Sequence, residues 1–458
     1  MRRLLPFLLC LAGCVSTADR AVTSLQPAIE VEGRAPEHWS MRERMAHYQV
    51  PGVSVAVVDG GRLVWARGFG DGVDEHTIFQ AASISKVVAA TATLRLVDEG
   101  KLDLDADVNG VLRSWKVPSS EKITLRQILS HTAGLNVHGF TGYAPDAPMP
   151  TLLQVLDGTP PAANEPIRVV AKPGSATSYS GGGIVIEQLV LTDVTGRPFP
   201  ELMQELVLAP LAMRDTTFAQ PLPPAFRARA ARGHEEDGSP TPGGWHIGPE
   251  MAAGWMWTTA ADLMRWAMAI DASRDGRPHA ILSQKTAAEM LTSQKDLYGL
   301  GPVLEGSGRA FAFGHGGNNP GYTTQVIYFP ETNQGAAILV NKVGADQLLD
   351  EITRAIAATY HWPAMQPERV KPFPFDASTL AGNYEVRFPG AEPSPATIVV
   401  EKGRLYLTAA PILEHDELVA VSATELISPA WGYRMQLDAS GGFIIHYNQN
   451  DIPGTRVK

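Results

Sequence analysis

The sequence predicts an α/β protein of the α+β type. An antiparallel sheet is flanked by helices and interrupted by a large, mostly helical insertion, and a small all-β, barrel-like domain follows it. Three observations predict this class. Strand-like runs stand at both ends of the main part of the chain, apolar residues recur at helical spacing between those runs, and short strands with hairpin turns fill the C-terminal part.

Length and composition limit the possible functions. A chain of 458 residues exceeds one ordinary domain, so more than one is expected. The hydrophobic fraction of 44% and charged fraction of 19% are typical of a folded globular protein. The net charge of −10 argues against a nucleic-acid partner, because the chain has no basic field to neutralise phosphates.

The first residues have the form of an export signal. Two arginines precede an apolar run, Leu4–Leu11, that is too short for a membrane-spanning anchor. The motif "LAGC" that ends this segment resembles a bacterial lipobox, which implies a signal peptide over 1–14, cleavage before Cys14 and lipidation of its thiol. The alternative is an ordinary signal peptide with an accidental cysteine.

The lipobox interpretation implies an exported lipoprotein anchored in a membrane and facing the periplasm. The two cysteines of the chain are Cys10 and Cys14, so the mature body would contain no disulfide. Val15 follows the cysteine where an inner-membrane retention signal usually has Asp, and by that resemblance we expect the outer membrane if the host has one.

The order of the elements predicts the domain plan. Residues 15–35 are polar and are expected to form a tether. The run "GVSVAVVDGGRLVWARGFG" predicts a hairpin whose turn is Asp59-Gly60-Gly61. A proline-rich linker is expected over 362–376, and an antiparallel β domain over 377–458.

Between the terminal strands the spacing predicts helices. Apolar residues recur at helical spacing from Ser83 to about Glu99, and Gly100 is a suitable C-cap. A second helix is predicted over Ile184–Thr195. We therefore expect one sheet-plus-helix domain with a helical insertion and a cleft between the two.

Ser83 and Lys86 stand at the start of the first predicted helix. Positions i and i+3 share a helix face, so the hydroxyl and the amine can meet. Serine is a poor nucleophile without a base, and a lysine serves as one when burial depresses its pKa. The alternative is an N-cap serine with a lysine that extends to solvent. Ser-x-x-Lys also occurs at Ser119 and Lys122, in a polar turn that favours capping.

Two later stretches contain further candidates. Tyr179 lies in the glycine-rich turn "KPGSATSYSGGG", where it is a packed aromatic or, if nearby cations lower its pKa, a proton shuttle. The triplet His315-Gly316-Gly317 precedes a strand, and glycines there let backbone N–H groups approach a ligand. The alternative is a plain turn with a surface histidine. His131 is interpreted as a hydrogen-bonding residue of a structural turn. Trp255 and Trp257 are interpreted as core residues, with the lining of a cleft as the alternative.

Together these stretches resemble the serine β-lactamase and penicillin-binding-protein superfamily, in particular the class C β-lactamase branch with its esterases and D-amino-acid peptidases. Further matching segments include "VPGVSVAVV", "ITLRQILSHTAGL" and "AAGWMWTTAADLMRW". The resemblance covers roughly residues 40–360 and implies a catalytic domain over 36–361. Ser-x-x-Lys is a signature of these enzymes.

The resemblance implies a role for each matching residue. Ser83 would be the acylated nucleophile, Lys86 its activator, and Tyr179 the group that exchanges protons with Lys86. The oxyanion would be held by the backbone N–H groups of Ser83 and Asn318. The remaining substrate-binding positions are His315, Gly316, Gly317 and Gly181.

Two of these positions depart from the family pattern. Gly181 replaces the asparagine of Tyr-x-Asn, which removes a side-chain amide that would hold the substrate. His315 replaces the lysine of Lys-Thr-Gly, which removes a permanent cation that would pair with a substrate carboxylate. Both changes weaken the case for β-lactam hydrolysis and leave acyl-enzyme chemistry intact.

The predicted function is therefore a serine hydrolase that forms a Ser83 acyl-enzyme with a small ester, a D-amino-acid-containing peptide or a β-lactam. No cofactor is expected, and no metal, because the histidines lack ligand spacing. The oligomeric state is left open. The alternative is a lipoprotein that binds peptidoglycan or penicillin and does not turn it over, with the C-terminal domain as a contact module.

Overall fold

The computed structural model describes residues 16–388, 392–409, 413–447 and 450–457. The predicted signal segment 1–14, with Cys14, lies outside the described residues. The chain forms two compact units. The larger comprises residues 42–353 and 362–364, and the smaller comprises the described residues of 1–41, 354–361 and 365–458.

The α-helices among the described residues are, in chain order, α1 Thr17–Thr23, α2 Met41–His47, α3 Ile84–Asp98, α4 Leu125–Leu129, α5 Leu152–Asp157, α6 Gly181–Thr195, α7 Phe199–Met203, α8 Pro224–Arg227, α9 Met251–Gly254, α10 Ala260–Arg274, α11 Gln284–Met290 and α12 Asp346–Tyr360. The strands are β1 Ile29–Val31, β2 Val53–Asp59, β3 Arg62–Phe69, β4 Phe79–Gln80, β5 Trp257–Thr258, β6 Val303–Glu305, β7 Ala312–Asn319, β8 Tyr322–Phe329, β9 Gln334–Val340, β10 Glu368–Val370, β11 Gly382–Val386, β12 Ser394–Glu401, β13 Arg404–Ala409, β14 Leu413–Ala420, β15 Glu425–Ile427, β16 Arg434–Leu437, β17 Phe443–Tyr447 and β18 Asn450–Arg456.

A six-stranded antiparallel sheet forms one layer of the larger unit, in the order β3-β2-β9-β8-β7-β6. The predicted hairpin is confirmed, since Asp59 pairs with Arg62 across Gly60 and Gly61. Both glycines have positive φ, 55° and 72°, as a two-residue hairpin turn with φ > 0 at both central positions requires. Every residue of β9 is buried, which explains its continuous apolar run.

The helices between β3 and β6 share a hydrophobic core with the sheet. Most of α3 is buried, and Gly100 follows it at a φ of 69° and donates to the Val97 carbonyl, as the C-cap prediction requires. α6 ends at Thr195 with Gly196 in the left-handed region, also as predicted, although it begins earlier, at Gly181. A short pairing of β4 with β5 leads the chain into α3.

The smaller unit contains a closed antiparallel barrel of eight strands, β11 to β18. Tyr384 of β11 pairs with Arg456 of β18, and this pairing closes the barrel. Its interior is filled by large apolar side chains, among them Tyr384, Leu407, Met435 and Phe443. The predicted fold class, with its C-terminal barrel-like domain, is confirmed.

The expectation of an irregular tether and an unpacked linker is corrected. Strand β1 lies within the expected tether 15–35 and pairs in parallel with β10 of the proline-rich segment 362–376. Ile29 and Val31 point to the same side of β1 and pack with Val370, because alternate residues of a strand share a face. None of the helices in the described ranges has the length and apolar character needed to cross a membrane.

Candidate active site

Ser83 lies at the junction of the β4 segment and α3. The Ala81 N–H donates to the Met256 carbonyl at 2.8 Å and holds this junction against the segment before β5. Ala82 has a φ of 48°, a conformation that costs a residue with a Cβ about 1–2 kcal/mol, so the surrounding contacts must enforce it. Ser83 occupies the N-cap position, yet its hydroxyl caps no helix N–H. The capping interpretation is therefore wrong, and the hydroxyl faces other partners.

Lys86 lies one turn along α3 and is 4% exposed. Its Nζ donates to Ser83 Oγ at 2.9 Å and to the Ala253 carbonyl at 2.5 Å, and it lies 5.1 Å from the centre of the Tyr179 ring. Burial lowers the pKa of Lys86 to about 7. A large share of the side chain is therefore a neutral amine at neutral pH, which is the form that accepts a proton.

Tyr179 precedes α6 and is held by the cap of that helix. Ser180 accepts from the Gly183 N–H at 3.0 Å, and the ring of Tyr179 packs against His131 and His138 in tilted arrangements, at centroid distances of 4.3 and 4.8 Å. Burial raises the pKa of Tyr179 to about 12, and a hydrogen bond with Ser83 opposes that rise. The lowering of this pKa by nearby cations, on which the sequence made a proton-shuttle role depend, is not found, and Tyr179 keeps its proton at neutral pH.

His131 supports Tyr179 without reaching the cavity. Its Nδ1 accepts from the Ser180 N–H at 3.3 Å, and its carbonyl accepts from the Ser178 N–H at 2.7 Å. Burial and then the charge of Lys86 lower the pKa of His131 far below its ordinary value. It acts as the structural, hydrogen-bonding histidine that its turn predicts.

The glycine triplet of β7 passes close to the backbone of Ser83. A Cβ added to Gly317 would lie 2.8 Å from the Ser83 nitrogen and 2.7 Å from the Ala81 carbonyl oxygen, so only glycine permits this approach. Thr324 of β8 donates to the same carbonyl at 2.9 Å and fixes the strand there. Asn318 follows directly, lines the cavity, and carries the second predicted oxyanion N–H.

His315 is a buried residue of β7 itself and is not among the residues that line the cavity. Its Nδ1 contacts the Gly316 carbonyl at 2.5 Å, so Nδ1 carries the proton and Nε2 is an acceptor, with no partner among the described residues. Burial lowers the pKa of His315 to about 4, the charge of Lys86 adds to this effect, and the hydrogen bond to Gly316 opposes it. At neutral pH it offers no positive charge.

At Gly181, where the family pattern has an asparagine, the loop of residues 138–140 occupies the space that the side chain would need. The Gly181 N–H donates to the His138 carbonyl at 3.0 Å, and an added Cβ would lie 3.0 Å from that oxygen and 3.2 Å from Phe140. His138 and Phe140 line the cavity, whereas Gly181 does not. The substitution therefore exchanges an amide side chain for a wall built from residues 138–140.

The second Ser-x-x-Lys copy forms no such site. Ser119 donates to the Glu121 carbonyl at 3.1 Å and accepts from the Glu121 N–H at 3.0 Å within an exposed turn. Lys122 is exposed. The polar turn predicted for this copy is confirmed, but the capping role is not, because the N-cap of α4 is Thr124.

A single cavity of about 490 Å³ collects most of the predicted residues. Ser83, Lys86 and Tyr179 border it together with the segments 138–140, 253–255 and 316–319. A cavity of this size is typical of a small-molecule site.

Several lining residues were missed by sequence reasoning. Trp255 borders the cavity, whereas Trp257 packs in the core against Trp245 and Tyr322. The tandem "WMW" carries no signal that distinguishes the two. Asp346 and Asp350 also line the cavity, from a helix more than 260 residues after the nucleophile. Local sequence could not predict this placement, because only the tertiary fold brings that helix to the cavity.

Comparison with known proteins assigns the family. The family description Beta-lactamase matches residues 40–361, more than half of the chain. The protein therefore belongs to the β-lactamase family of serine hydrolases.

Individual relatives cover most of the chain. "Penicillin-binding protein 4" of Amycolatopsis lactamdurans is 28% identical over 76% of this chain and 97% of its own length. "D-alanyl-D-alanine-carboxypeptidase/endopeptidase AmpH" of Escherichia coli K12 is 24% identical over 75% of this chain and 92% of its own. Among solved structures, the octameric penicillin-binding protein homologue from Pyrococcus abyssi has a TM-score of 0.62 at 21% identity, covering 90% of this chain and 98% of that one. This last likeness concerns the fold.

Proposed function

We propose that this protein hydrolyses small esters and D-amino-acid-containing amides or peptides through an acyl-enzyme at Ser83. The observation that carries the proposal is the buried contact between Lys86 and Ser83. The Lys86 amine has no carboxylate partner among the residues that the structure describes, and burial brings its pKa to about 7. An amine in this state is a base for the hydroxyl beside it.

Acylation begins with transfer of the Ser83 proton to Lys86. A neutral amine donates one N–H to the Ala253 carbonyl and presents its lone pair to the hydroxyl. Oγ then forms a bond to the substrate carbonyl carbon, and the negative charge develops on the carbonyl oxygen. The N–H groups of Ser83 and Asn318 are assigned to that oxygen, and such donors contribute about 3–4 kcal/mol each.

Collapse of this intermediate breaks the bond to the leaving group. Tyr179, protonated at neutral pH, gives its proton to the departing nitrogen or oxygen and recovers one from the Lys86 ammonium. In deacylation a water loses its proton to the Lys86–Tyr179 pair and attacks the acyl carbon, and the proton returns to Ser83 as Oγ departs. Protons and electron pairs balance over the cycle, and the chain supplies every group.

The substrate order follows from the recognition residues. A relative of this chain is named as a D-alanyl-D-alanine carboxypeptidase and endopeptidase, which supports D-amino-acid peptides. β-Lactams come last, because neutral His315 cannot pair with their carboxylate and Gly181 has no amide to hold their acyl group. Small esters come first because they need the least help from recognition.

The test is covalent labelling of Ser83. Wild type incubated with a fluorophosphonate should gain one adduct mass, located on Ser83, and Ser83→Ala should gain none. Ser119→Ala is the matched control, since it removes the serine of the second Ser-x-x-Lys copy and should label like wild type. Equal labelling of wild type and Ser83→Ala would refute the hydrolase proposal.

Turnover separates a hydrolase from a protein that only traps an acyl group. We expect p-nitrophenyl acetate and D-alanine p-nitroanilide to be hydrolysed for many cycles per enzyme. A burst of one product per protein, without later release, would instead identify an acyl-trapping binder.

Export with lipidation of Cys14 is a second part of the proposal, supported by the arginine-led apolar segment and the "LAGC" motif. Cys14→Ser should abolish incorporation of labelled palmitate and release the protein from the membrane fraction. Incorporation that persists in this variant would exclude Cys14 as the acylated residue.

A further inference from the structure

The charges that line the catalytic cavity are unevenly distributed. Among the described residues, the charged side chains at this lining are Lys86 at the floor and Asp346 and Asp350 on the wall. The two aspartates lie at positions i and i+4 of α12, with Leu349 beside them on the same face. Asp346 therefore places a carboxylate on the lining of the same cavity as Ser83.

Asp346 forms no ion pair with a described residue. Burial raises the pKa of its carboxyl, and only the hydrogen bond from its own backbone N–H opposes this rise. Asp346 is nevertheless exposed at the cavity, so its carboxylate can pair with a cationic group of a ligand.

The family's usual source of positive charge on the recognition strand is absent here. His315 is neutral, and its free Nε2 is an acceptor, so it offers no donor to a carboxylate. Within the part of the chain that the structure describes, Lys86 is the one lysine or arginine at the cavity, and it is bound to Ser83 and to the Ala253 carbonyl. A substrate carboxylate would find repulsion at the wall and no partner on the strand.

We propose that Asp346 selects substrates by charge, so that the cavity prefers acyl groups carrying an ammonium and disfavours those carrying a carboxylate. This inference rests on the proposed function, since it names the substrate class for the same acyl-enzyme site. The ammonium lies against the carboxylate of Asp346 while the scissile carbonyl lies at Ser83.

An acid in the first turn of α12 also interacts favourably with the helix dipole, and that interaction alone would give Asp346 a structural role. The two roles differ in what a substitution changes. Loss of a helix contact alters stability and affects all substrates alike, whereas loss of a substrate contact raises KM for cationic substrates alone.

The experiment compares D-alanine p-nitroanilide, its N-acetyl derivative and its N-succinyl derivative, which place a positive, neutral or negative group at one position. Nα-acetyl-D-lysine and Nα-acetyl-D-norleucine p-nitroanilides repeat the comparison with a longer reach. Wild type should prefer the cationic member of at least one set by about 5-fold or more in kcat/KM, as expected for one partly exposed ion pair.

Asp346→Asn should remove this preference through KM and leave kcat/KM for the N-acetyl compound within about 2-fold of wild type, which also shows that the variant is folded. Asp346→Lys should favour the N-succinyl compound. Glu121→Gln, which removes an exposed charge elsewhere, should behave as wild type.

The outcomes separate the two proposals. If wild type labels at Ser83 and hydrolyses the neutral compounds but shows no charge preference, or a preference that Asp346→Asn leaves intact, the charge-selection inference is overturned and the hydrolase proposal stands. If no compound is hydrolysed and Ser83 does not label, both fall.

Discussion

Two parts of the catalytic site differ in how closely their residues match the family pattern: the floor of the cavity, which holds the reacting groups, and the wall, which would contact the substrate. The floor keeps Ser83, Lys86 and Tyr179, and they contact one another in the described structure. The recognition side has neither a cation from His315 nor a side-chain amide from Gly181, and the wall of the cavity carries the carboxylate of Asp346. The comparison teaches that bond-making chemistry and substrate recognition are separate parts of this site, and that only the second has changed.

The largest effect is expected at the floor. Lys86→Met should lower kcat/KM for every substrate by about 10³-fold, because general-base catalysis contributes about 10²–10⁴-fold and no other base contacts Ser83 among the described residues. The same change should preserve or raise thermal stability, since it replaces a buried, unpaired amine by an apolar side chain of similar length. Steady-state kinetics and thermal unfolding check the two parts.

Lys122→Met is the matched control, and it should leave both quantities unchanged. A Lys86→Met variant that retains near-wild-type kcat/KM would show that Ser83 has another activator, and the assignment of Lys86 as its base would be wrong.

Tyr179→Phe tests the proton donor. We expect a loss of about 10²-fold in kcat/KM for D-alanine p-nitroanilide, whose departing amine needs a proton. The loss for p-nitrophenyl acetate should be much smaller, because p-nitrophenolate leaves without one. Equal losses for the two substrates would point to a positioning role for the ring.

The pH profile tests the charge state of Lys86. Below its pKa of about 7 the amine is an ammonium and cannot accept a proton, so kcat/KM should rise about tenfold per pH unit up to that point and then level off. The stability of the fold also depends on the protonation of Lys86. Between about pH 7 and 10.5, the ordinary pKa of lysine, the unfolded chain binds more protons than the folded one. The free energy of unfolding should therefore rise with pH across that window.

A flat kcat/KM profile from pH 5 to 9 would contradict a titrating Lys86. In Lys86→Met the free energy of unfolding should rise less between about pH 7 and 10.5 than in wild type. The difference between the two proteins is the contribution of the Lys86 side chain.

The smallest effect is expected at the wall. Gly181→Asn restores the family residue, yet it should lower stability by about 1–3 kcal/mol, because the new side chain meets the His138 carbonyl and Phe140. Acylation by a fluorescent penicillin should not increase, since the amide cannot reach the cavity past residues 138–140. Denaturant unfolding and penicillin labelling measure the two effects.

Gly110→Asn is the control, because a Cβ there meets nothing within 4 Å. It should change stability by less than about 0.5 kcal/mol. Faster penicillin labelling of Gly181→Asn would show that the loop moves aside and that recognition follows the family pattern.

Local signals predicted much of this molecule. The Asp59-Gly60-Gly61 turn, the Gly100 and Gly196 helix ends and the antiparallel β pattern of the C-terminal domain follow from turn chemistry and periodicity, which act over a few residues. Strand β1 was missed because its pairing with β10 joins segments more than 300 residues apart, and neither segment is apolar enough to predict a strand alone.

The active site also has features that follow from local sequence and features that do not. The reactive residue types and their spacing follow from local sequence, because Ser83 and Lys86 meet through the geometry of one helix turn. Tertiary structure alone decided the protonation states, since burial lowers the pKa of Lys86 and raises that of Tyr179, and burial depends on which segments cover them. Tertiary structure also set which residues form the wall of the cavity. The 138–140 loop and Asp346 are far apart in sequence from Ser83 and reach the cavity only in the folded domain.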